Sequence, residues 1–215
     1  MYDRVSEQAG DDIDFDALPK RFVLKCTHDS GGLVIVRDKD TFDRNKAKKI
    51  IEKSLRRDYY QLGREWPYKN VKPRIIAEQY MEDTQTHALN DYKFYSFNGT
   101  PKALLVVTGR QNEGEKTRYD FFDMDYKHMD IKRGDGGAET EPSRPRNFEL
   151  MKQLAAELSQ GIPHVRVDFY EVDGKVYFGE LTFAPRGGFG QFEPQEWDEK
   201  FGSWIKLPQK IQKEN

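Results

Sequence analysis

A pair of β-rich runs at residues 166–183 constrains the fold of this chain more than any other stretch. The segment reads RVDFYEVDGKVYFGELTF, and Asp173–Gly174 between the two runs predicts a β-hairpin. Three charged residues stand inside the strands instead of at their ends: Arg166, Asp168 and Glu180. Because an unpaired buried ion costs several kcal/mol, these groups must pair, shift their pKa or bind a cation.

The turn of this hairpin decides which side chains share a face. A two-residue turn with regular pairing would put Asp168 and Glu180 on opposite faces. A three-residue loop that ends in a bulge at Gly174 would put four polar side chains on one face: Arg166, Asp168, Glu180 and Thr182. We expect the bulged loop, in which Asp168 and Glu180 can hold Mg²⁺ together with phosphate oxygens. A purely structural cluster of ion pairs is the alternative.

The composition excludes several classes of protein. Charged residues make up 33% of the 215 residues and the net charge is −2, which gives no bulk attraction to nucleic acid or to anionic membranes. No apolar run approaches the roughly 18 to 20 residues of a membrane span, and residues 1–16 lack the basic and apolar parts of a signal peptide. We therefore expect a cytoplasmic protein without membrane insertion.

The chain contains one cysteine, Cys26, which excludes an internal disulfide and a zinc site built from several cysteines. We expect it to be a reduced, half-buried strand residue and not a nucleophile. The four histidines show no pair at the spacing of metal ligands, so a histidine metal centre is not expected.

Apolar runs of strand length alternate with turn-forming clusters along the first 80 residues. The runs at 21–27, 33–38 and 74–81 predict strands, and HDSGG joins the first two as a hairpin. A helix is predicted to start at Asp40 or Thr41, because apolar residues then recur every three or four positions. These residues are Ala47, Ile50, Ile51, Leu55, Tyr59 and Leu62.

The rest of the chain is richer in β structure. Asn98–Gly99 between two apolar runs predicts a second hairpin, and residues 117–123 could add a strand. Residues 130–146 lack periodicity and contain several glycines and prolines, which predicts a mobile loop. Asn147 is expected to cap a helix that ends before Gly161.

This order of elements predicts an α+β fold in which an N-terminal arm precedes two lobes. The arm covers residues 1–18, the small lobe covers 19–80 and the larger lobe covers 81–215. The charged hairpin belongs to the larger lobe.

Two motifs of the small lobe could bind a nucleotide. In KCTHDSGG, Lys25 ends a strand, and Gly31 and Gly32 would let backbone amides approach phosphate oxygens. The motif lacks the Gly-Lys-Ser/Thr of a Walker A loop, and an exposed lysine beside an ordinary hairpin loop is the alternative. In IIAEQYM, Glu78 could accept hydrogen bonds from ribose hydroxyls or be an ordinary surface residue.

Positive charge could gather near the hairpin of the larger lobe. Arg186 in APRGG follows the strand that carries Glu180 and could pair with a carboxylate or a phosphate. Lys93 and Arg110 stand in or beside predicted strands, and the sequence leaves open whether they face a cleft or the surface. The sequence holds no Gly-x-Ser-x-Gly motif of a serine nucleophile.

The order of these motifs resembles the ATP-grasp superfamily over about residues 19–205. That order is a strand lysine, a glycine loop, a helix, a strand ending in Glu, a β-rich lobe, then Arg-x-Asp followed by Glu-x-Thr. The resemblance implies two lobes that clamp ATP between them. Within the superfamily, several phrases are similar to the TupA-like family of teichuronopeptide biosynthesis: FVLKCTHDSGG, DYKFYSFNG, the charged hairpin and DEKFGSWIKL.

The resemblance implies a role for each motif residue. Arg166 would stabilise the reacting intermediate. Lys93 and Arg186 are further catalytic candidates on the strength of their charge and position alone, and would add positive charge at the reaction centre. Asp168, Glu180 and Thr182 would hold Mg²⁺, with Thr182 in place of the usual asparagine. The implied nucleotide-binding residues are Lys25, His28, Ser30, Gly31, Gly32, Glu78, Gln79, Tyr80 and Met81.

The activity that the resemblance implies is an ATP-dependent carboxylate–amine ligase that works through an acyl phosphate with ATP and Mg²⁺. Its acceptor would be a uronic acid or an acidic peptide of a bacterial capsule or other surface polymer. Family members carry a further segment before the lysine strand, where this chain has about 18 residues. There are two alternatives: a glycosyltransferase or other capsule-modifying transferase, and an impaired ATP-binding module. Nucleic acid is not an expected partner. Whether the protein forms a homo-oligomer is left open.

Overall fold

A computed structural model of the chain describes residues 4–6, 13–110, 114, 116–133 and 136–208. The chain divides into two compact units, residues 1–81 and 82–215. Parts of two predicted segments lie outside the described residues: 1–3 and 7–12 of the N-terminal arm, and 134–135 of the loop at 130–146. None of the helices within the described ranges is long and apolar enough to cross a membrane.

The first unit is built on a four-stranded antiparallel sheet in the order β1-β4-β2-β3. Its strands are β1 (Arg4–Ser6), β2 (Phe22–Cys26), β3 (Val34–Val36) and β4 (Ile75–Gln79). Its helices are α1 (Arg44–Leu55) and α2 (Tyr59–Gly63), with single 3₁₀ turns at Phe15–Ala17 and Trp66–Tyr68. The three strands predicted in this part of the sequence are therefore present.

Buried and partly exposed side chains alternate along β2, so one face of the sheet packs on the core of the first unit and the other face is open. Phe22, Leu24 and Cys26 are buried in the cluster that packs against α1, whereas Val23 and Lys25 between them are partly exposed. Cys26 is more deeply buried than the half-buried position we expected. Burial raises the pKa of its thiol, which favours the unreactive protonated form.

The predicted start of α1 was wrong by two or three residues. Asp43 is the N-cap, and its carboxylate accepts the backbone N–H of Lys46 at 2.9 Å. Asp38 accounts for the shift, because it accepts the backbone N–H groups of Asp40 and Thr41 and holds both in a preceding turn. The helix also ends earlier than predicted, since a new cap at Asp58 starts the separate helix α2.

The second unit is built on a six-stranded antiparallel sheet in the order β10-β9-β5-β6-β7-β8. Its strands are β5 (Asp91–Phe97), β6 (Thr100–Thr108), β7 (Arg118–Phe122), β8 (His128–Met129), β9 (Val165–Val172) and β10 (Lys175–Thr182). Its helices are α3 (Phe148–Leu158) and α4 (Glu196–Trp204), and Pro185–Gly188 forms a 3₁₀ turn.

Each face of this sheet meets one helix. Phe148, Met151 and Ala155 of α3 pack on one face, and Phe201 of α4 packs on the other. The described members of the α4 cluster come from β5 to β8 and their flanking segments, with none from β9 or β10. The α4 side of β9 and β10 is therefore available to polar side chains. Asn147 starts α3 as predicted, but its side chain donates to Glu171 and to the carbonyl of Gly174 and makes no cap hydrogen bond.

The turn of the charged hairpin differs from the predicted one. β9 and β10 are joined by a two-residue turn, because Val172 pairs directly with Lys175. Asp173 and Gly174 both have positive φ, at 50° and 72°, which matches the twist of the strands. The predicted three-residue loop with a bulge at Gly174 is wrong.

A bulge at Gly179, inside β10, nevertheless produces the shared face that we expected. The register shifts between Phe178 and Glu180, so that Glu180 lies opposite Asp168. Two residues further on, Thr182 lies opposite Arg166 on the same face. If regular pairing continued through Gly179 without a bulge, Glu180 would pair with Val167 and point to the other face.

Gly179→Val should lower the free energy of unfolding by about 1–3 kcal/mol. A Cβ atom on Gly179 would lie 3.0 Å from the carbonyl oxygen of Asp168, so a branched side chain forces β9 and β10 apart. Urea unfolding followed by circular dichroism measures the loss. Gly202→Ala in α4 is the control, because a Cβ there meets nothing within 4 Å. Equal stability of the two variants would contradict the bulged register.

Candidate functional site

Seven polar residues of the second unit form a continuous charged network on the α4 side of its sheet. Its members are Asp91, Lys93, Arg110, Arg166, Asp168, Glu180 and Thr182. They come from β5, β9 and β10, with Arg110 just after β6. Three cations alternate with three carboxylates along the network, so the charges of Arg166, Asp168 and Glu180 inside the two strands are balanced.

Asp168 is the centre of this network. Its Oδ1 accepts Arg166 Nε at 2.7 Å, and its Oδ2 accepts Arg166 Nη2 at 2.7 Å and Lys93 Nζ at 2.6 Å. The side chains of Asp168, Lys93 and Arg166 are only 3%, 11% and 10% exposed. A buried carboxylate that accepts hydrogen bonds from a bidentate arginine and a lysine is rigidly held.

Glu180 and Thr182 form the open end of the network. Arg166 Nη2 donates to Glu180 Oε1 at 3.0 Å and to Thr182 Oγ1 at 2.9 Å, and the Thr182 hydroxyl donates to Glu180 Oε1 at 2.7 Å. The Glu180 side chain is 54% exposed. The network thus runs from a buried carboxylate to one that solvent and ligands can reach.

The carboxylates keep the two arginines of the network charged. Burial disfavours the charge on Arg166, but the hydrogen bonds and charge of Asp168 outweigh it and raise the pKa of Arg166 above its ordinary value. The charge of Asp91 likewise raises the pKa of Arg110. Both guanidinium groups are therefore permanent cations at any physiological pH.

Asp91 is the member that the sequence analysis missed. It opens β5 and is buried, and its Oδ1 lies 2.9 Å from Lys93 Nζ and 3.0 Å from Arg110 Nη1. The signal was present in DYKFYSFNG, where Asp91 and Lys93 stand two apart and therefore on one face of a strand. The same contacts answer the question left open for Lys93, which is buried within the network.

The open face of the first unit carries the predicted lysine and glutamate. Lys25 Nζ lies 2.8 Å from Glu78 Oε1, and both side chains are about two-fifths exposed. The register places Val23 opposite Ile35 and Glu78, and Lys25 opposite Ile76. Partly exposed apolar side chains therefore lie beside the Lys25–Glu78 ion pair on this face, and such a surface suits a flat ring with polar substituents.

The glycine loop after β2 is fastened to α1. Asp29 accepts hydrogen bonds from Ser54 and Arg57 at the end of that helix. Gly32 lies over Ser54, where a Cβ atom would come within 2.3 Å of the hydroxyl oxygen, and Gly31 has a φ of 94°. Both glycines are thus required by the loop's conformation.

His28 in this loop is buried, with 5% of its surface exposed. Within the described part of the chain, neither of its ring nitrogens has a hydrogen-bond partner. A buried polar group without a partner costs about 1–3 kcal/mol and calls for an explanation such as a ligand that supplies one.

The predicted hinge residues do not share one environment. The Tyr80 ring is buried, with the guanidinium of Arg21 4.2 Å and that of Arg37 5.3 Å from its centroid. Met81 is half-buried and Gln79 is exposed. The Tyr80 side chain is therefore part of the packing, and only its backbone could contact a ligand directly.

Arg186 does not contact the charged network among the described residues but lines a cavity of about 510 Å³ in the second unit. Six Phe and Tyr side chains line it, and Phe183 and Phe189 among them are 46% and 86% exposed. Polar groups are few: Arg133, His164, Arg186, Gln191 and Asp198. Tyr95, another lining residue, is the cross-strand partner of Arg166, which places the cavity next to the network.

The network suits a magnesium ion that also binds phosphate. Within the described residues, no group of three or more His, Cys, Asp or Glu side chains could hold a metal alone. Mg²⁺ commonly takes one or two carboxylates and completes its shell with water and phosphate oxygens. Asp168 and Glu180 could supply those carboxylates, because Asp168 Oδ1 accepts a single hydrogen bond and the Glu180 side chain is 54% exposed.

A sequence model of the family described as TupA-like ATPgrasp matches residues 4–206. The chain belongs to the TupA-like ATP-grasp family. No protein with a curated function matches the sequence.

A solved structure agrees with this family assignment at the level of the fold. The D-alanine–D-alanine ligase from Helicobacter pylori matches with a TM-score of 0.50 and 13% identity, covering 97% of this chain and 56% of that one. The L-amino acid ligase from Bacillus licheniformis matches with a TM-score of 0.49 and 17% identity, covering 83% and 37%. This chain therefore spans little more than half of the first ligase and less of the second. The α+β ATP-grasp fold predicted from the sequence is confirmed.

Proposed function

We propose that this TupA-like ATP-grasp protein is an ATP-dependent carboxylate–amine ligase of bacterial cell-surface polysaccharide or teichuronopeptide biosynthesis. The observation that supports this best is the joining of Asp168 and Glu180 by Arg166 on one face of the sheet. Two carboxylates beside the side chains of Arg166 and Lys93 suit the transfer of a phosphoryl group, which needs positioning and charge neutralisation more than a protein nucleophile.

Asp168 and Glu180 are proposed to hold Mg²⁺, with the Thr182 hydroxyl as a further oxygen donor. When bound, the ion neutralises the phosphate charge that develops during transfer. Arg166 contacts all three of these side chains, so it keeps them in place and offers its guanidinium to the transferred group. Lys93 adds a second cation from β5.

The first unit is proposed to bind the nucleotide. Val23, Ile35 and Ile76 offer apolar contact to the adenine ring, and Glu78 accepts hydrogen bonds from the ribose hydroxyls. Lys25 and the loop from His28 to Gly32, which includes Ser30, contact the phosphates. A phosphate oxygen would also give the buried imidazole of His28 the partner that it lacks.

The cavity beside the network is proposed to bind the carboxylate substrate, with Arg186 as its cation. A carboxylate oxygen attacks the γ-phosphorus of ATP, the bond to the β-phosphate oxygen breaks, and ADP leaves. The amine then attacks the carbonyl carbon of the acyl phosphate, inorganic phosphate leaves, and the amine gives up a proton to solvent. The proposed acceptor is a uronic acid or an acidic peptide.

Hydroxylamine trapping tests this proposal. With ATP and Mg²⁺, the protein should convert a suitable carboxylate to its hydroxamate and release one ADP for each, because hydroxylamine captures acyl phosphates. The carboxylates to compare are glucuronate, galacturonate and glutamyl peptides. Arg186→Gln should raise the KM for the carboxylate about tenfold or more with little change in the KM for ATP.

Two other results would overturn the ligase proposal. Turnover of a nucleotide sugar with indifference to ATP would indicate a transferase. Binding of ATP without ADP release for any carboxylate would indicate a nucleotide-binding module without ligase activity.

A further inference from the structure

Lys93 is shared between two carboxylates. Its ammonium nitrogen lies 2.6 Å from Asp168 Oδ2 and 2.9 Å from Asp91 Oδ1. The side chains of Asp91 and Asp168 are both 3% exposed, and that of Lys93 is 11% exposed. The ammonium therefore has two nearly equivalent anions within reach and little access to water.

The contact with Asp168 competes with a metal ion. Asp168 Oδ2 already accepts from Arg166 and Lys93, and its Oδ1 accepts from Arg166. An ion that binds at Oδ2 must displace or crowd the Lys93 ammonium. If Asp168 were the sole anion near Lys93, that displacement would leave a buried charge unpaired, which is strongly unfavourable.

We propose that Asp91 is a positioning residue that holds the Lys93 ammonium when a metal ion binds to Asp168. The proposal rests on the proposed function of the network as a Mg²⁺·ATP site. Arg110 completes the arrangement, because it lies 3.0 Å from Asp91 and keeps that carboxylate paired when Lys93 contacts Asp168. Lys93 can therefore move between two anions while every charge of the network stays paired.

The test is the Mg²⁺ dependence of ATP binding, measured by calorimetry with a non-hydrolysable ATP analogue. Asp91→Asn should raise the Mg²⁺ concentration needed for half-maximal binding about tenfold, because Lys93 then holds Asp168 alone. Asp120→Asn is the matched control, since Asp120 is another buried carboxylate of the same sheet but contacts His128 and the amide of Ala138. It should leave the Mg²⁺ dependence unchanged.

A second background separates the role of Asp91 from a simple loss of negative charge. In Lys93→Met protein, Asp91→Asn should have almost no further effect on the Mg²⁺ dependence, because the competing ammonium is gone. An effect of the same size in both backgrounds would overturn the proposal. So would an Asp91→Asn protein that binds with the wild-type dependence.

Arg110→Gln provides an independent variant if Asp91→Asn fails to fold. The Arg110 side chain is 49% exposed, so its replacement leaves the fold intact. Lys93 is then the remaining cation of the network beside Asp91, so Asp91 should hold it more firmly and away from Asp168. The Mg²⁺ concentration needed for half-maximal binding should therefore fall in otherwise wild-type protein. It should stay unchanged when the same substitution is made in Lys93→Met protein. A rise would overturn the proposal. Wild-type protein that binds no ATP at any Mg²⁺ concentration would overturn the proposed function itself, and this inference with it.

Discussion

Asp168→Asn should abolish Mg²⁺-dependent ATP turnover and lower the free energy of unfolding by about 3–5 kcal/mol. The substitution removes the buried anion that Arg166 and Lys93 share, and it leaves both cations in a site with little water. It also removes the deeper of the two proposed metal ligands. We expect ADP release to fall at least about 10²–10³-fold.

Two measurements on the same protein separate these effects. Urea unfolding gives the loss of stability, and ADP release at a temperature where the variant is fully folded gives the loss of activity. Lys152→Gln is the comparison, because it removes a cation that donates to the Met124 carbonyl away from the network. Wild-type ADP release by folded Asp168→Asn protein would contradict the assignment of Asp168 as a metal ligand.

Glu180→Gln should abolish most ATP turnover while leaving the stability almost unchanged. The Glu180 side chain is 54% exposed, and ion pairs at such positions contribute only about 0–1 kcal/mol to stability. Its negative charge is nevertheless the second one available to Mg²⁺. We expect ADP release to fall about 10²–10³-fold, with the loss partly recovered at high Mg²⁺ concentration.

Glu149→Gln is the matched control for Glu180→Gln. Glu149 is 67% exposed and pairs with Arg144, so the substitution removes a similar exposed ion pair on α3. The two variants should unfold at nearly the same urea concentration, and only Glu180→Gln should lose activity. If both lose or both retain activity, the exposed end of the network is not the metal site.

The strands of this protein were predictable because their signals are local. Asn98–Gly99 and Asp173–Gly174 both form the hairpin turns that their sequences indicate, and both have positive φ at each turn residue. The described parts of residues 130–146 form no helix, as their glycines and prolines predicted. A local pattern of turn residues and apolar runs is sufficient for features of this kind.

The register of the charged hairpin was not predictable in the same way. Because Arg166, Asp168 and Glu180 need charged partners, the sequence indicated that they share a face, and this was correct. A shared face requires one extra residue in one of the two strands. Either Gly174 or Gly179 could supply that residue, and the structure uses Gly179, where the carbonyl of Asp168 leaves no room for a side chain. The choice depends on contact between strands, which a local pattern does not contain.

The predicted start of the first helix was wrong and Asp91 was missed, for different reasons. Asp40, Thr41 and Asp43 are all suitable caps, and only the hydrogen bonds from the amides of Asp40 and Thr41 to Asp38 decide among them. Asp91 looks like an ordinary residue at the start of a strand until β9 brings Asp168 beside Lys93. A hydrogen-bonded turn at the neighbouring Asp38 determined the helix start, whereas strands distant in sequence determined the role of Asp91.

The predicted site residues fall into three groups by their position in the structure. Arg166, Asp168, Glu180 and Thr182 came together as expected, and Lys93 joined them. Lys25 and Glu78 form an ion pair on the open face of the first unit. Arg186 stands apart in the aromatic cavity, so its assignment to the substrate is a separate hypothesis from the metal site.

Calorimetric titration of the wild-type protein with ATP, in the presence and absence of Mg²⁺, tests the central claim most directly. The account predicts saturable binding of one ATP per chain that weakens at least about tenfold when Mg²⁺ is removed. ATP binding that is indifferent to Mg²⁺, or no binding of ATP at all, would contradict it and would leave the charged network as a structural cluster of ion pairs.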